Sequence, residues 1–275
     1  MTGPKPSSSP TRAVSCTRGA EPCRTRHEAP GQAQNPVRGS RPRDIGFAIA
    51  ASAALAAYNN VINKHPWHHQ RYVPLNATAT AAAVSAAAAS GLTPADMGFG
   101  REEWPPGRAG ALLAAAVAGG WVLIAAVPAT RPVLQDKRLT SLDGRAIAYQ
   151  AVVRIPIGTV LWEETAFRGV LQAALRRVLP ETATIAVTSA VFGVWHIRPT
   201  LQALRVNGLA DNRGQAVTRV AAAVAVTTAG GALLSWLRAR SGSLTAPVLF
   251  HLATNCGGPV AAWAVASLGR RPPDE

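Results

Sequence analysis

The chain has 275 residues, of which 48% are hydrophobic and 15% charged, and it carries a formal net charge of +14. A soluble domain is about a quarter charged, so the composition leans towards a bilayer; long apolar runs without a short period exclude collagen, coiled-coil and wholly disordered classes. The three cysteines, Cys16, Cys23 and Cys256, are too few and too scattered for a disulfide framework or a zinc ribbon.

Residues 1–43 hold eight Lys or Arg, seven Pro and five Ser, with almost no large apolar side chain. Such a segment cannot bury enough surface to offset its ordering entropy, so it reads as a disordered basic tail, or as a start placed too far upstream. No apolar core follows its first charges closely enough for a signal peptide. Residues 44–270 read as a transmembrane helical domain and 271–275 as a short C-terminal tail. Crossing a hydrocarbon core of roughly 30 Å takes about 20 helical residues. On that measure the predicted spans are approximately 45–63, 73–92, 109–128, 147–177, 182–197, 216–237, 244–256 and 257–269. Gly257, Gly258 and Pro259 suggest that the last two are a broken pair or a re-entrant hairpin. The expected fold is therefore all-α, a polytopic transmembrane bundle of six to eight spans.

The cations outside the tail punctuate the ends of these spans and do not cluster on one folded face. That pattern suits membrane insertion and argues against a nucleic-acid partner. Between the spans, 64–71 (KHPWHHQR) reads as a solvated interfacial loop with Trp67 at headgroup depth, and its three histidines as solvated groups. The loop 91–108 contains Asp96, Glu102, Glu103 and Trp104. Arg154, near the start of the fourth span, reads as a snorkelling or loop-paired cation. The sequence has 25 Arg against three Lys, which suggests a high-GC bacterial genome and hence a multi-pass plasma-membrane location.

An ionisable group inside an apolar span costs a few kcal/mol, which makes each one a candidate functional residue. Twelve of the fourteen acids lie in the tail, in loops or at span ends; the exceptions are Glu163 and Glu164. Of six histidines, only His196 and His251 lie within apolar segments. Glu164 and Arg168 are four apart and share a helical face, as do Phe192 and His196, and His251 and Asn255. Glu163 is rotated by about 100° from Glu164 and is expected to project elsewhere. If 179–181 is the turn of a helical hairpin, Glu163 and His196 both lie roughly 22–27 Å from it, at one membrane level.

Three of these segments carry a resemblance. EETAFRG fits E-E-x-x-x-R, FGVWH fits F-x-x-x-H and HLATN fits H-x-x-x-N, the ordered motifs of the CPBP intramembrane protease family, which includes CAAX-prenyl endopeptidases and bacteriocin-processing proteins. The resemblance covers residues 147–256. It implies a membrane-embedded endopeptidase with Glu163 as general base, His196 positioning the water, and His251 and Asn255 stabilising the oxyanion. Glu164, Arg168 and Phe192 would be supporting residues, and the partners would be a peptide or protein substrate and the lipid bilayer. Glu163, His196 and His251 would also suit a catalytic Zn2+ with an open position for water. No H-E-x-x-H helix is present, and the metal-free reading is preferred. A rival from another class is a non-enzymatic membrane protein, a transporter or immunity-type binding protein, that keeps the polar cluster for structure. No segment repeats as transporter halves often do.

Overall fold

The computed structural model describes residues 41–62, 64–100 and 108–268. Most of the basic tail, the residues Glu102, Glu103 and Trp104, and the 271–275 tail lie outside the described residues. All described residues fall in one compact unit, and every regular element among them is helical.

Helix α1 (Pro42–Ala57) opens with a proline, whose missing N–H is no loss in a first turn, and widens into a π turn at Tyr58–Ile62. Short α2 (Pro66–Gln70) leads to α3 (Tyr72–Ala89) and then α4 (Arg108–Ala126). A 3-10 segment (Pro128–Leu134) turns the chain into α5 (Lys137–Thr140). Helix α6 runs unbroken over 144–176, with π-helical stretches at Gln150–Leu161 and Thr165–Leu171. Pro156 inside the first stretch has no N–H to give to the preceding turn, which favours a wider turn there. Helix α7 (Glu181–Trp195) returns antiparallel to α6, followed by α8 (Ile197–Asn207), α9 (Arg213–Ser241) and α10 (Thr245–Leu268). Asp136, Asp143 and Asn212 cap α5, α6 and α9 by accepting backbone N–H groups. Gly208 and Gly242, at φ of 63° and 68°, close α8 and α9 in the left-handed conformation that glycine adopts most readily.

Small residues set the helix approaches, as expected where lipid supplies no hydrophobic drive between helices. A Cβ on Gly193 would strike Thr228 of α9, and one on Gly231 would come within 3.1 Å of the Phe192 ring. Gly158 makes room for the Tyr72 ring, and Gly257 for Trp121. The buried core lies along α6 and α7, with Trp162, Phe167, Leu171, Phe192 and Trp195. The outer surface carries exposed apolar side chains such as Leu112, Val122, Val152 and Val226, which suits an apolar solvent.

The α6–α7 turn is held by charge. Arg177 donates to Asp44 Oδ1 (3.3 Å), to Ser90 O (3.2 Å) and to Gly91 O (2.6 Å), tying the start of α1 and the end of α3 to the hairpin. Nearby, Arg238 of α9 donates to Asp96 O at 2.9 Å.

Residues 245–268 form one helix, not a broken pair; Gly257 and Gly258 are helical residues packed against Trp121. Among the described residues, three helices are long and apolar enough to cross a membrane: Pro42–Ile62, Arg213–Ser241 and Thr245–Leu268. A fourth crossing arises if Gly110–Ala126 and Pro128–Leu134, bent by 111°, count as one. The expected six to eight spans are not confirmed by this measure. Helix α7, at 15 residues, spans only about 22 Å. Helix α6 carries Arg154, Glu163, Glu164 and Arg168 and is widened by π turns.

Candidate active site

The hairpin delivers the site. Glu163 lies in the short α-helical piece Trp162–Glu164 between the two π stretches, and Trp195 ends α7. Across the hairpin the Trp195 indole Nε1 donates to Glu163 Oε1 at 3.0 Å. The two segments therefore share one level, as the residue count from the turn implies. Glu163 Oε2 is buried without a hydrogen-bond partner among the described residues and lies 3.8 Å from His251 Nε2. A buried carboxylate oxygen left open in this way is uncommon and calls for a chemical explanation.

Glu164 faces the other side of the same imidazole. Its Oε1 lies 2.7 Å from His251 Nδ1 and also accepts from Arg168 Nη1 at 3.0 Å. The i,i+4 pair forms as the spacing predicts, with both side chains fully buried. Although the two glutamates point in different directions, His251 reaches both, one with each ring nitrogen. Arg168 Nη2 donates to Gly231 O at 3.2 Å, and its guanidinium lies 4.3 Å from the Phe192 ring centroid. The Phe192 ring also packs edge-on against His196, with centroids 4.6 Å apart, and against His251 at 6.2 Å. Phe192 is thus a wedge between both imidazoles and the arginine.

The proton positions follow from partner chemistry. His196 Nδ1 is 2.7 Å from Phe192 O, and a carbonyl only accepts, so Nδ1 carries the proton. Nε2 of a neutral His196 is then a lone-pair acceptor. His251 Nδ1 faces a carboxylate and carries a proton in the same way, while Asn255 Nδ2 lies 3.0 Å from His251 Nε2. One amide hydrogen of Asn255 is engaged there, and the second remains available.

Glu163, His196 and Asn255 line a cavity of ≈ 240 Å³, whose wall also includes Asn59, His69, Tyr72, Arg138, Arg154, Thr159 and Trp195. His251 stands behind this wall. All seven predicted site residues, Glu163, Glu164, Arg168, Phe192, His196, His251 and Asn255, lie in this one cluster.

Several functional neighbours had no signal in the motifs. Trp195 precedes His196, and a buried indole needs an acceptor, which is the one clue the sequence offered. Asn59 and Asn60, in the π turn after α1, donate to Trp195 O (2.9 Å) and Val194 O (3.0 Å). They thereby satisfy carbonyls left open where α7 ends. The first third of the chain, which contributes nothing to the motif resemblance, builds part of the cavity through Asn59, His69 and Tyr72. His68 is buried among Tyr58, Trp67, His69 and Tyr72 and is not a solvated loop residue. That burial, with His69 next in effect, pushes its pKa below the usual histidine range. Arg154 does not snorkel; it lies on the cavity wall over the Tyr72 ring.

A zinc site would need Glu163, His196 and His251 to present free donor atoms to one point. Among the described residues no group of three His, Cys, Asp or Glu is arranged to hold a metal. Both His251 ring nitrogens already face Glu164 and Asn255. As they stand, Glu163, His196 and His251 do not fit a His2Glu ligand set.

Compared with known proteins, residues 146–257 match the family model described as Type II CAAX prenyl endopeptidase Rce1-like. No curated protein and no solved structure matches the chain. The family resemblance carried by the three motifs is supported over this segment. The matched segment is under half of the chain and holds all three motifs.

Proposed function

We propose that this protein is an intramembrane endopeptidase in which Glu163 and His196 activate a water molecule. His196 Nε2 accepts one hydrogen of the water and orients it. Glu163 takes the other proton at Oε2, the carboxylate oxygen with no hydrogen-bond partner. The hydroxide oxygen bonds to the substrate carbonyl carbon, and the carbonyl oxygen becomes an oxyanion that accepts from the free amide hydrogen of Asn255. The carbon–nitrogen bond then breaks as Glu163 returns its proton to the leaving amine, giving an acid and an amine.

His251 acts one step back. Held at Nδ1 by Glu164, it fixes the Asn255 amide through Nε2, and Arg168 and Phe192 hold that pair in turn. Arg168 against Glu163 and Glu164 leaves one net negative charge, which a proton on Glu163 cancels during the reaction. The observation that carries the reading is Glu163 itself: pinned at one oxygen by Trp195, open at the other, and on the same cavity wall as His196 and Asn255.

The test is the full chain purified in detergent and assayed on a library of quenched peptides. Glu163→Gln retains the acceptor for Trp195 but cannot take a proton, so kcat should fall by about 10²–10⁴-fold with an unchanged melting temperature. Undiminished cleavage by Glu163→Gln would overturn the assignment. Metal analysis of the same sample should find no stoichiometric zinc. Zinc bound one-to-one and lost with activity in His251→Ala would replace the water-only mechanism.

A further inference from the structure

We infer that a second cavity, between α8 and the segment that follows the π turn of α1, binds the phosphate headgroup of an anionic phospholipid. This cavity of ≈ 200 Å³ is lined by Lys64, His69, Arg198, Gln202 and Arg205. Three permanent cations, an imidazole and an amide face it, and no acid does; Glu163 is not part of its wall. Among the described residues, the side chains of Lys64, Arg198 and Arg205 enter no ion pair and no hydrogen bond. Two guanidinium forks and an ammonium with their donors unused match the oxygens of a phosphate group.

The sequence of α8 makes the cations converge. Arg198, Gln202 and Arg205 stand at i, i+4 and i+7 and so share one helical face. Ile197, Leu201 and Leu204 repeat that spacing one position earlier, rotated by about 100°, and Leu204 is buried. A basic stripe beside an apolar one is the pattern of a helix that lies in a membrane interface.

The surrounding contacts put α8 at that level. The first helix able to cross a membrane ends at Ile62, and Lys64 follows two residues later. Asn60, in the last turn of that span, donates to Val194 O at 3.0 Å and accepts from the Arg198 N–H at 3.1 Å. The start of α8 is thereby tied to the end of a span. The next candidate span begins at Arg213, just after α8.

The same observations favour a lipid over a free phosphate. Exposed apolar side chains neighbour the cations along the chain: Val61 and Trp67 on either side of Lys64, and Val206 next to Arg205. A half-exposed indole at this depth is a common interfacial anchor. Cations with apolar surface beside them suit a ligand that is anionic at one end and hydrocarbon at the other. Basic pockets at the membrane boundary take such headgroups.

The test uses the full chain in a neutral detergent and four probes: dioctanoyl phosphatidylglycerol, dioctanoyl phosphatidylcholine, glycerol 3-phosphate and a hexaglutamate peptide. Binding is read by native mass spectrometry and by the shift in melting temperature, neither of which needs peptide hydrolysis. Phosphatidylglycerol should bind one-to-one and about 10- to 30-fold more tightly than phosphatidylcholine. Arg198→Gln and Arg205→Gln should each weaken it about 5-fold, and together about 30-fold. Arg198→Lys with Arg205→Lys keeps the charge and should keep most of the binding, which separates loss of the site from loss of the fold. Arg240→Gln, an exposed cation in the last turn of α9, should leave it unchanged.

Equal binding of the two lipids, or a preference that survives the double Gln variant, overturns the inference. Glycerol 3-phosphate binding as tightly as phosphatidylglycerol would make the occupant a free phosphate and overturn the lipid assignment. Hexaglutamate binding more tightly than phosphatidylglycerol, and lost in the same double variant, would overturn it in favour of an acidic peptide.

Discussion

Arginines at the α6–α7 turn and arginines around the cavity are the same residue type in two opposite conditions. At the turn, Arg177 is shared among Asp44 and two backbone carbonyls, and Arg238 meets Asp96 O. Around the cavity, Arg138 is paired with Asp136, but Arg154 has only a neutral amide and a ring, and Lys64, Arg198 and Arg205, lining an adjoining cavity of ≈ 200 Å³, form no ion pair among the described residues. Compensated cations lock chain segments together, whereas uncompensated ones retain their charge. The contrast divides the molecule into a fastened end and a receptive end, and each makes different demands of a substitution.

The sharpest test of that division is Arg168, which is fully buried between the two. Arg168→Leu leaves Glu164 charged and unmatched, which should cost about 3–5 kcal/mol and appear as a large drop in melting temperature or loss of folded protein. Combining it with Glu164→Leu removes both charges and should recover most of the stability. It should not recover peptidase activity, because His251 Nδ1 then has no acceptor. Full activity in that double variant would show that the buried pair has no bearing on the site.

At the fastened end, Arg177→Gln gives up bonds to Ser90 O and Gly91 O in a partly exposed setting. A loss of about 1–2 kcal/mol is expected, read as a lower melting temperature with unchanged turnover per folded molecule. A change in peptide preference would blur the contrast between the ends.

The smallest effect concerns Asp136, which joins α5 to α8 by accepting from Asn207 Nδ2 at 3.1 Å. Burial works against its charge, but the Arg138 side chain and backbone N–H and the Asn207 amide outweigh this and hold its pKa at about 2. The folded pKa lies below the ordinary carboxylate value, so the group stabilises the fold above about pH 4. That contribution should fade as the pH falls from about 4 towards 2. Melting curves across this window should show a slightly steeper acid loss for wild type than for Asp136→Asn; identical slopes would remove Asp136 from the account.

What the sequence made legible follows a physical rule. Helical periodicity is local, so Glu164–Arg168 and His251–Asn255 could be read directly, and the residue count from a turn gave the shared level of Glu163 and the end of α7. Contacts between distant segments leave no such trace. Asn59 and Asn60 cap a helix more than 130 positions away, and neither has a spacing that announces it. Arg154 reads from sequence as a snorkelling or loop-paired cation because the lone residue does not reveal the Tyr72 ring beneath it. Gly257, Gly258 and Pro259 suggested a break because glycine and proline favour turns in water. Here the glycines instead admit the Trp121 ring, and bundle neighbours tolerate a helical proline.

His196 is the residue at which α7 stops, and its ring is bonded to a carbonyl of that helix's own final turn. In the proposed mechanism the lone pair offered to the water therefore depends on that turn staying wound, and Asn59 and Asn60 hold its carbonyls from the far side. Fraying of a single helical turn would release the imidazole to rotate and to exchange its proton between nitrogens. On the proposed mechanism, chemical competence and the integrity of one helix terminus are a single variable, and a ligand that loosened α1 would silence the protein without touching Glu163.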